Sequence, residues 1–404
     1  MTTSARKPVE FLPDPEPREV KYTLISVDDH LVEPPGMFEG KLPAKFQDLA
    51  PRIVRQDDGS EQWFYDGNLI PMEGSNAVVG QADRQQILGP AAFEDMRKGS
   101  WDVHERVRDM DLGGIWAQLN FPSIVSGFCG RIFSNTSDPE LGLWTTRAWN
   151  DWMLEDWCGA YPDRLIPLGI TWLADPELGA AEIRRNAERG FKAVSLPERP
   201  HKIGYPSLHS GYWDPILQAC DETDTVICLH VGSTGLVEVA KDAPPGSTTV
   251  LFPALSLESF VDWLWSGVAV RFPNLKIMMA EGGIGWVPMV FDRLEYLFDH
   301  AGGHSYGIWG WNSRGYNMDP IEVAQRNFYF CLLDDPSTII CRDRVGIDKI
   351  LAEVDYPHAD STWPDSQVHF EKLLTGLSAD EIRKVTHLNA AKLFRHPLPP
   401  VTLP

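Results

Sequence analysis

The sequence predicts an α/β fold, a (β/α)8 TIM barrel, on three observations. Short β-rich apolar runs recur eight times along the chain, and helical patterns stand between most of them. Eight is also the strand number that closes a parallel barrel. The third observation is chemical: His and carboxylate residues stand directly after the runs, where a barrel builds its site. A doubly wound sheet is the alternative. It usually carries fewer strands and a glycine-rich phosphate turn, and neither G-x-G-x-x-G nor a Walker A sequence is present.

In chain order, residues 1–21 are polar and proline-rich and read as an N-terminal arm. The barrel is expected over 22–396, with 397–404 as a C-terminal tail. Residues 22–27 (YTLISV) form the first strand. The gap to the second is too long for a plain βα unit, so 34–99 is an insertion covering one mouth of the barrel. Within it, RIVRQDDGSEQWFYDGNLI reads as a hairpin turning at Asp58-Gly59. Strand 2 is 114–119 (GIWAQL). A helix over 141–157 places Trp149, Met153 and Trp157 at four-residue spacing. Strand 3 is 164–171 (RLIPLGIT). The charged helix 176–189 lies between Asp175 and Gly190, which suit its N- and C-terminal caps. Strands 4 and 5 are 191–196 and 225–229, with a helix over 213–223 between them. A helix over 256–271 leads to strand 6 at 275–280, and another covers 287–300. Residues 301–320, rich in glycine and aromatics, follow as a candidate lid on the catalytic face. Strand 7 (327–332), a helix over 336–347 and strand 8 (349–354) complete the alternation.

Charge narrows the function. The chain has 57 acidic and 36 basic residues, a net −21, which repels phosphate backbones and anionic lipid. Nucleic-acid and membrane partners are therefore not expected. The six cysteines form no C-x-x-C pair and read as small buried residues in a reducing compartment. With no secretory h-region and no long apolar run, the expected location is cytoplasmic. The N-terminal arm hints at a homo-oligomer.

Asp28-Asp29-His30 follow strand 1, Glu198 strand 4, His230 strand 5, Glu281 strand 6, and Asp355 with His358 strand 8. Residues two apart share a strand face, so Asp28 and His30 point together and Asp29 points away. Taken singly, an Asp after a strand is usually a helix cap and a lone His an ordinary polar residue. Five such positions in one barrel register point instead to a divalent metal held by nitrogen and oxygen donors. Glu33 is expected to fix the turn after strand 1. His104, His201 and His209 lie in loops and equally suit the surface. Trp309 and Trp311 are candidate substrate-binding residues, as walls of an apolar pocket.

SVDDHLVEPP, CLHVGS around His230, AEGGIGW, VDYPHADSTWP and NAAKLF resemble the amidohydrolase superfamily. The similarity is to its amidohydrolase-2 branch, with aminocarboxymuconate-semialdehyde and gamma-resorcylate decarboxylases. That resemblance implies metal ligation by Asp28, His30, His230 and Asp355, with Asp355 as general base. His358, three residues beyond Asp355 and within reach of the mouth, is expected to bind substrate or tune that base, so the catalytic candidates are Asp355, His230 and His358. The chain departs from the commonest pattern by Asp-x-His in strand 1 and by Glu281 where a His is common. Glu198 stands where binuclear members place a bridging ligand. The expected set is thus Asp28, His30, Glu198, His230, Glu281 and Asp355 around a dinuclear centre of iron, manganese or zinc.

The first expectation is hydrolysis or non-oxidative decarboxylation of a small-molecule substrate through a metal-activated water and the Asp355 base. A dinuclear iron or iron–manganese monooxygenase is the alternative, favoured by the carboxylate-rich set. A non-catalytic partner subunit is the second alternative.

Overall fold

The computed structural model describes residues 9–72, 77–82, 91–244, 246–300, 311 and 315–404. It is a mixed α/β fold built on parallel sheets. The strands are β1 (Ile25–Leu31), β2 (Arg52–Arg55), β3 (Glu61–Tyr65), β4 (Asn68–Pro71), β5 (Ala117–Pro122), β6 (Leu165–Ile166), β7 (Leu168–Gly169), β8 (Ala193–Leu196), β9 (Val226–His230), β10 (Ile277–Ala280), β11 (Phe328–Leu332) and β12 (Ile350–Ala352). One parallel sheet runs β1-β5-β6, a second runs β12-β11-β10-β9-β8-β7, and β2-β3-β4 form a small antiparallel sheet.

Pro167 separates β6 from β7, so the single strand expected over 164–171 is two short pieces. Proline has no N–H to give to a ladder. At the far edges the sheets approach through β1 and the segment after β12. Asp355 N–H donates to the Asp28 carbonyl (2.9 Å), and His30 N–H donates to the Tyr356 carbonyl (2.6 Å). The hairpin expected at Asp58-Gly59 is present as β2–β3, pairing Arg55 with Glu61, and β4 adds a third strand.

Helix boundaries differ from expectation where local chemistry intervenes. The helix expected over 256–271 is Phe252–Trp265 followed by the short Val268–Arg271. The break falls at Gly267 (φ +71°), where a Cβ would lie 2.0 Å from the Tyr316 ring, so only glycine fits. The helix expected over 336–347 is a 3-10 turn, Ile339–Cys341, and the four-residue helix Arg342–Val345. Its β-branched run Thr338-Ile339-Ile340 favours a helix weakly, and Asp335 instead accepts from Gly285 N–H (3.2 Å). The helix expected over 141–157 is Pro139–Trp152, continuing as a π turn over Met153–Cys158. The segment 176–189 forms as expected, with Asp175 capping Glu177 and Leu178 and Gly190 left-handed at its end.

Strand residues of β1, β5 and β8 to β10 are all buried, as in sheets covered on both faces. Five of the six cysteines are buried and none is paired with another. Among the described residues, no helix is long and apolar enough to cross a membrane.

A buried cation stands behind the site. Arg106 is fully buried between the rings of Tyr356 and Trp157, whose centroids lie 4.3 and 5.5 Å from its guanidinium carbon. It donates to the Gly99 carbonyl (2.6 Å), to Gln118 Oε1 (3.2 Å) and to the His30 carbonyl. Arg106→Met keeps the bulk but leaves these acceptors without a donor. It is expected to cost about 3–5 kcal/mol of stability, read from urea unfolding. A change below about 1 kcal/mol would mean that Arg106 only fills space.

Candidate metal centre

The site gathers where β1, β9, β10 and the segment after β12 end together. In β1, Asp28 and His30 share one face and Asp29 takes the other. Asp29 Oδ1 accepts from Gln118 Nε2 and from Tyr356 N–H, both at 3.0 Å, which ties β1 to its two neighbours. The pair stands within the strand rather than after it, because β1 continues to Leu31. His230 is the last residue of β9.

Glu281 and Asp355 each begin a turn with φ +59°, a left-handed backbone that non-glycine residues rarely adopt. Such strain costs about 1–3 kcal/mol per residue and clusters at functional sites. Gly282 follows Glu281 because a Cβ there would lie 1.8 Å from Ser256 Oγ.

These elements bring six predicted residues into one cluster. His30 Nε2 lies 2.9 Å from His230 Nε2, 3.6 Å from Asp28 Oδ1 and 3.4 Å from Asp355 Oδ1. His230 Nε2 is 3.5 Å from Asp28 Oδ1 and 3.4 Å from Glu281 Oε2. His358 stacks on His30, with ring centroids 3.7 Å apart, and its Nδ1 is 3.0 Å from Asp355 Oδ1. Phe121 and Phe128 pack around the two facing imidazoles.

The donor chemistry fits a divalent cation. His230 Nδ1 lies 2.7 Å from the Val231 carbonyl, which can only accept, so Nδ1 carries the proton and Nε2 presents a bare lone pair. Both carboxylate oxygens of Asp28 and of Asp355 are buried without a hydrogen-bond donor. Among the described residues, three sets bring ligand atoms within 4.8 Å of one another: Asp28, His30 and His230; His30, Asp355 and His358; and Glu281, Asp355, His358 and Asp360.

The electrostatics agree. Burial pushes the carboxyls of Asp28, Glu281, Glu353 and Asp355 well above their ordinary range, and neighbouring carboxylates push them further. Burial also holds the His30 ring well below its ordinary value and brings His358 down to about 3, keeping both imidazoles neutral. A cation among them would reverse the penalty on the carboxylates.

Glu198 stands apart. Its Oε1 accepts from Thr234 Oγ1 (3.3 Å) and lies 3.2 Å from Arg199 Nη2, and it joins none of the three sets. Burial raises its carboxyl from 4.5 to about 7, against the opposing pull of Arg199 and His230. The folded chain therefore holds a proton that the unfolded chain releases. That stabilisation is complete below about pH 4.5 and is lost as pH rises through 7. In metal-free protein, Glu198→Gln, which mimics the protonated form, is expected to match wild type near pH 4.5. At pH 8 it is expected to be more stable by up to about 3 kcal/mol. Parallel unfolding profiles across that range would contradict the protonated state.

The remaining expectations divide. Trp309 lies outside the described residues, as does most of the 301–320 segment. Trp311 is buried against Trp265 and Tyr316, with its indole N–H donating to the Met318 carbonyl (2.7 Å). His104 meets Tyr161 at the surface, and His201 and His209 lie beside Asp262. Glu33 accepts from Ile124 N–H (3.0 Å) and Ser126 Oγ (3.3 Å), so it holds the loop after β5.

That loop walls a cavity of about 740 Å³ that opens onto the cluster. Ile124, Phe128, Ile132, Val231 and Phe252 make it mainly apolar, Ile70 and Pro71 of β4 reach its rim, and Glu281, His358 and Asp360 line its polar side. Arg131 is the one basic residue among its described lining residues.

Sequence reading missed Glu353 and Asp360. Glu353 accepts from Glu281 N–H (3.1 Å) and stands just past β12, two residues before Asp355, so a carboxylate directly after the strand was a usable signal. Asp360 arrives through the loop after Asp355 and has no such signal.

The amidohydrolase family model (Amidohydro_2) matches residues 95–396. A curated relative, 2-amino-3-carboxymuconate-6-semialdehyde decarboxylase of Dictyostelium discoideum, is 24% identical over 214 residues, 51% of this chain and 55% of that protein. The match thus spans little more than half the length of that relative. Among solved structures, an amidohydrolase from Mycobacterium avium subsp. paratuberculosis has a TM-score of 0.71 at 22% identity, covering 93% of this chain and 100% of the other. A 5-carboxyvanillate decarboxylase of Novosphingobium aromaticivorans, complexed with manganese and 4-hydroxy-3-methoxy-5-nitrobenzoic acid, has a TM-score of 0.60 at 20% identity, covering 96% and 100%. At these identities the structural likenesses speak for the fold.

Proposed function

The chain belongs to the amidohydrolase family, and from that premise we propose that it is a metal-dependent enzyme that decarboxylates a small organic acid without net oxidation. The observation that carries the metal is the pair of facing imidazoles beside two donor-free carboxylates. Asp28, His30, His230 and Asp355 hold the ion in this reading, with Glu281 beside them. A bound divalent ion supplies Lewis acidity to a substrate oxygen.

The chain's own residues do the rest. Arg131 offers the cavity's positive charge to an acid, and the apolar wall takes its carbon skeleton. Asp355 stands where it can move a proton to the substrate carbon as the bond to the carboxylate breaks and its electron pair returns to that carbon. His358, stacked on His30 and facing Asp355, orients that carboxyl group. The closed eight-stranded barrel over 22–396, the 34–99 insertion as a cover, the 301–320 lid with Trp309, and a homo-oligomer belong to the same proposal. The relative and the solved structure named as decarboxylases support the reaction class.

Hydrolysis is the second reading, since Asp355 serves a water as readily as a carbon. Incubating the manganese-loaded protein with ¹³C-carboxyl hydroxybenzoates and enoic acids separates the two. Labelled carbon dioxide is expected to appear, to stop with chelator and to return with added manganese. If these acids stay intact while aryl esters or lactones are cleaved, hydrolysis takes the place of decarboxylation.

A further inference from the structure

We propose that the N-terminal arm positions the turn that carries Asp355 and His358, acting through a buried relay of Arg97, Asp109 and Tyr356. This deepens the metal-dependent reading and rests on it. Asp355 opens that turn with a left-handed backbone, φ +59°. A non-glycine residue keeps such a conformation only where its surroundings over-determine it. Toward β1, Asp355 N–H donates to the Asp28 carbonyl (2.9 Å) and Tyr356 N–H to Asp29 Oδ1 (3.0 Å), while the Tyr356 carbonyl accepts from His30 N–H (2.6 Å). The Pro357 carbonyl and the Tyr356 side chain are held instead by elements outside the sheets. Pro357 accepts from Val78 N–H (3.1 Å) and Val79 N–H (3.2 Å). Tyr356 Oη donates to Asp109 Oδ2 (2.6 Å) on the helix Val103–Gly113.

From Asp109 the relay runs outward. Arg97 grips its carboxylate with two donors, Nε to Oδ2 (2.7 Å) and Nη2 to Oδ1 (2.6 Å), and lies over the Trp363 ring. Asp109 and Tyr356 are each 1% exposed. A Cβ on Gly99 would lie 2.3 Å from Asp109 Oδ2 and 2.5 Å from Tyr356 Oη, so the chain closes tightly over their contact. Hydrogen bonds to an ionised carboxylate at these lengths are strong and directional. Arg97 Nη2 also donates to Asp14 Oδ1 (2.7 Å) in the arm, and Arg108 donates to Asp14 Oδ2.

The arm reaches the turn by a second route. Leu12 N–H donates to the Gly80 carbonyl (2.8 Å) and Ala82 N–H to the Glu10 carbonyl (2.9 Å), which joins the arm to the segment whose Val78 and Val79 hold Pro357. Both routes therefore end on Tyr356 and Pro357, the two residues between Asp355 and His358. Arg97, Asp109 and Tyr356 are positioning residues in this arrangement. Groups that orient metal ligands from behind set metal affinity, and losing one costs about 10–100-fold.

The test uses full-length protein with manganese as probe. Metal-free wild type, Tyr356→Phe, Asp14→Asn and the double variant are titrated with manganese, and the free ion is read by electron paramagnetic resonance. Tyr356→Phe keeps the ring and is expected to weaken manganese binding about tenfold. It should also lower kcat for carbon dioxide release at saturating manganese, with KM for the acid unchanged. Asp14→Asn is expected to do the same by a smaller factor. The double variant should fall short of the product of the two effects, because both act on one chain of contacts. Glu222→Gln, which breaks an exposed ion pair with Arg184 between outer helices, should bind manganese as wild type does. If Tyr356→Phe fails to fold, Asp14→Asn decides alone. Wild-type manganese affinity in the variants, with only the urea midpoint lowered, would mean that these contacts merely staple the arm, and it overturns the relay while leaving the metal-dependent reading standing. Fully multiplicative effects in the double variant also overturn the relay. Wild type that binds no manganese overturns both.

Discussion

Asp355→Asn is expected to lower turnover by about a thousandfold or more and to strip the protein of tightly held metal. Asp355 belongs to two of the three ligand sets, and its oxygens are buried with no donor to satisfy them. Asparagine keeps the shape and, more than most residues, tolerates the left-handed backbone that Asp355 adopts at φ +59°. The substitution therefore removes charge and basicity rather than geometry. Loss of a positioned acid–base group alone costs about 10²–10⁴ in rate, and loss of a metal ligand adds to it. The metal-free variant is expected to melt no lower than metal-free wild type, because a like charge has left the neighbourhood of Asp28, Glu281 and Asp360. Turnover within tenfold of wild type at unchanged metal content would remove Asp355 from the mechanism.

Much of this architecture is written in short-range patterns. Apart from Thr225 and Lys276 the runs at 225–229 and 275–280 are apolar, as strands covered on both faces must be, and they appear as β9 and β10 within a residue or two. Asp175 and Gly190 bracket their helix because capping is decided by the residue itself. Failures come where a distant partner decides. Gly267 ends a helix to admit Tyr316, forty-nine positions away, and Asp335 gives its carboxylate to Gly285 instead of to a following helix.

The cluster divides in the same way. Asp28, His30, His230, Glu281 and Asp355 meet because a parallel register brings strand ends to one place, and the sequence marks the strand ends. Glu198 holds an equivalent position after β8, yet Arg199 and Thr234 engage its carboxylate, an outcome that depends on side-chain direction rather than register. The same limit applies to Trp311. Aromatic richness in 301–320 suggested a pocket wall, whereas its indole packs inward against Trp265. Asp360 was invisible because the loop that delivers it turns back through Ser361 Oγ and Thr362 N–H, which donate to the Val354 carbonyl at 3.0 and 3.1 Å.

Exchanging the metal is expected to separate Lewis-acid chemistry from redox chemistry with an all-or-none readout. The donors gathered here are mainly carboxylate oxygens, with His30, His230 and His358 as the nitrogens. Such a set suits manganese or iron more than a tetrahedral zinc site does. Non-oxidative loss of carbon dioxide moves an electron pair onto carbon and needs a proton, which Asp355 can deliver, but no oxidant. Manganese-loaded protein is therefore expected to turn over equally with and without dioxygen, and a redox-silent ion such as zinc should sustain measurable activity. The iron-loaded form should consume no dioxygen beyond its own autoxidation. An oxygenase predicts the reverse: zinc abolishes turnover, dioxygen is consumed in proportion to product, and labelled dioxygen leaves its oxygen in the product. That pattern would replace the decarboxylase reading with hydroxylation on the same carboxylate-rich centre. Indifference to dioxygen with both manganese and zinc would exclude hydroxylation and leave the choice between carbon dioxide release and hydrolysis to the labelled-acid assay.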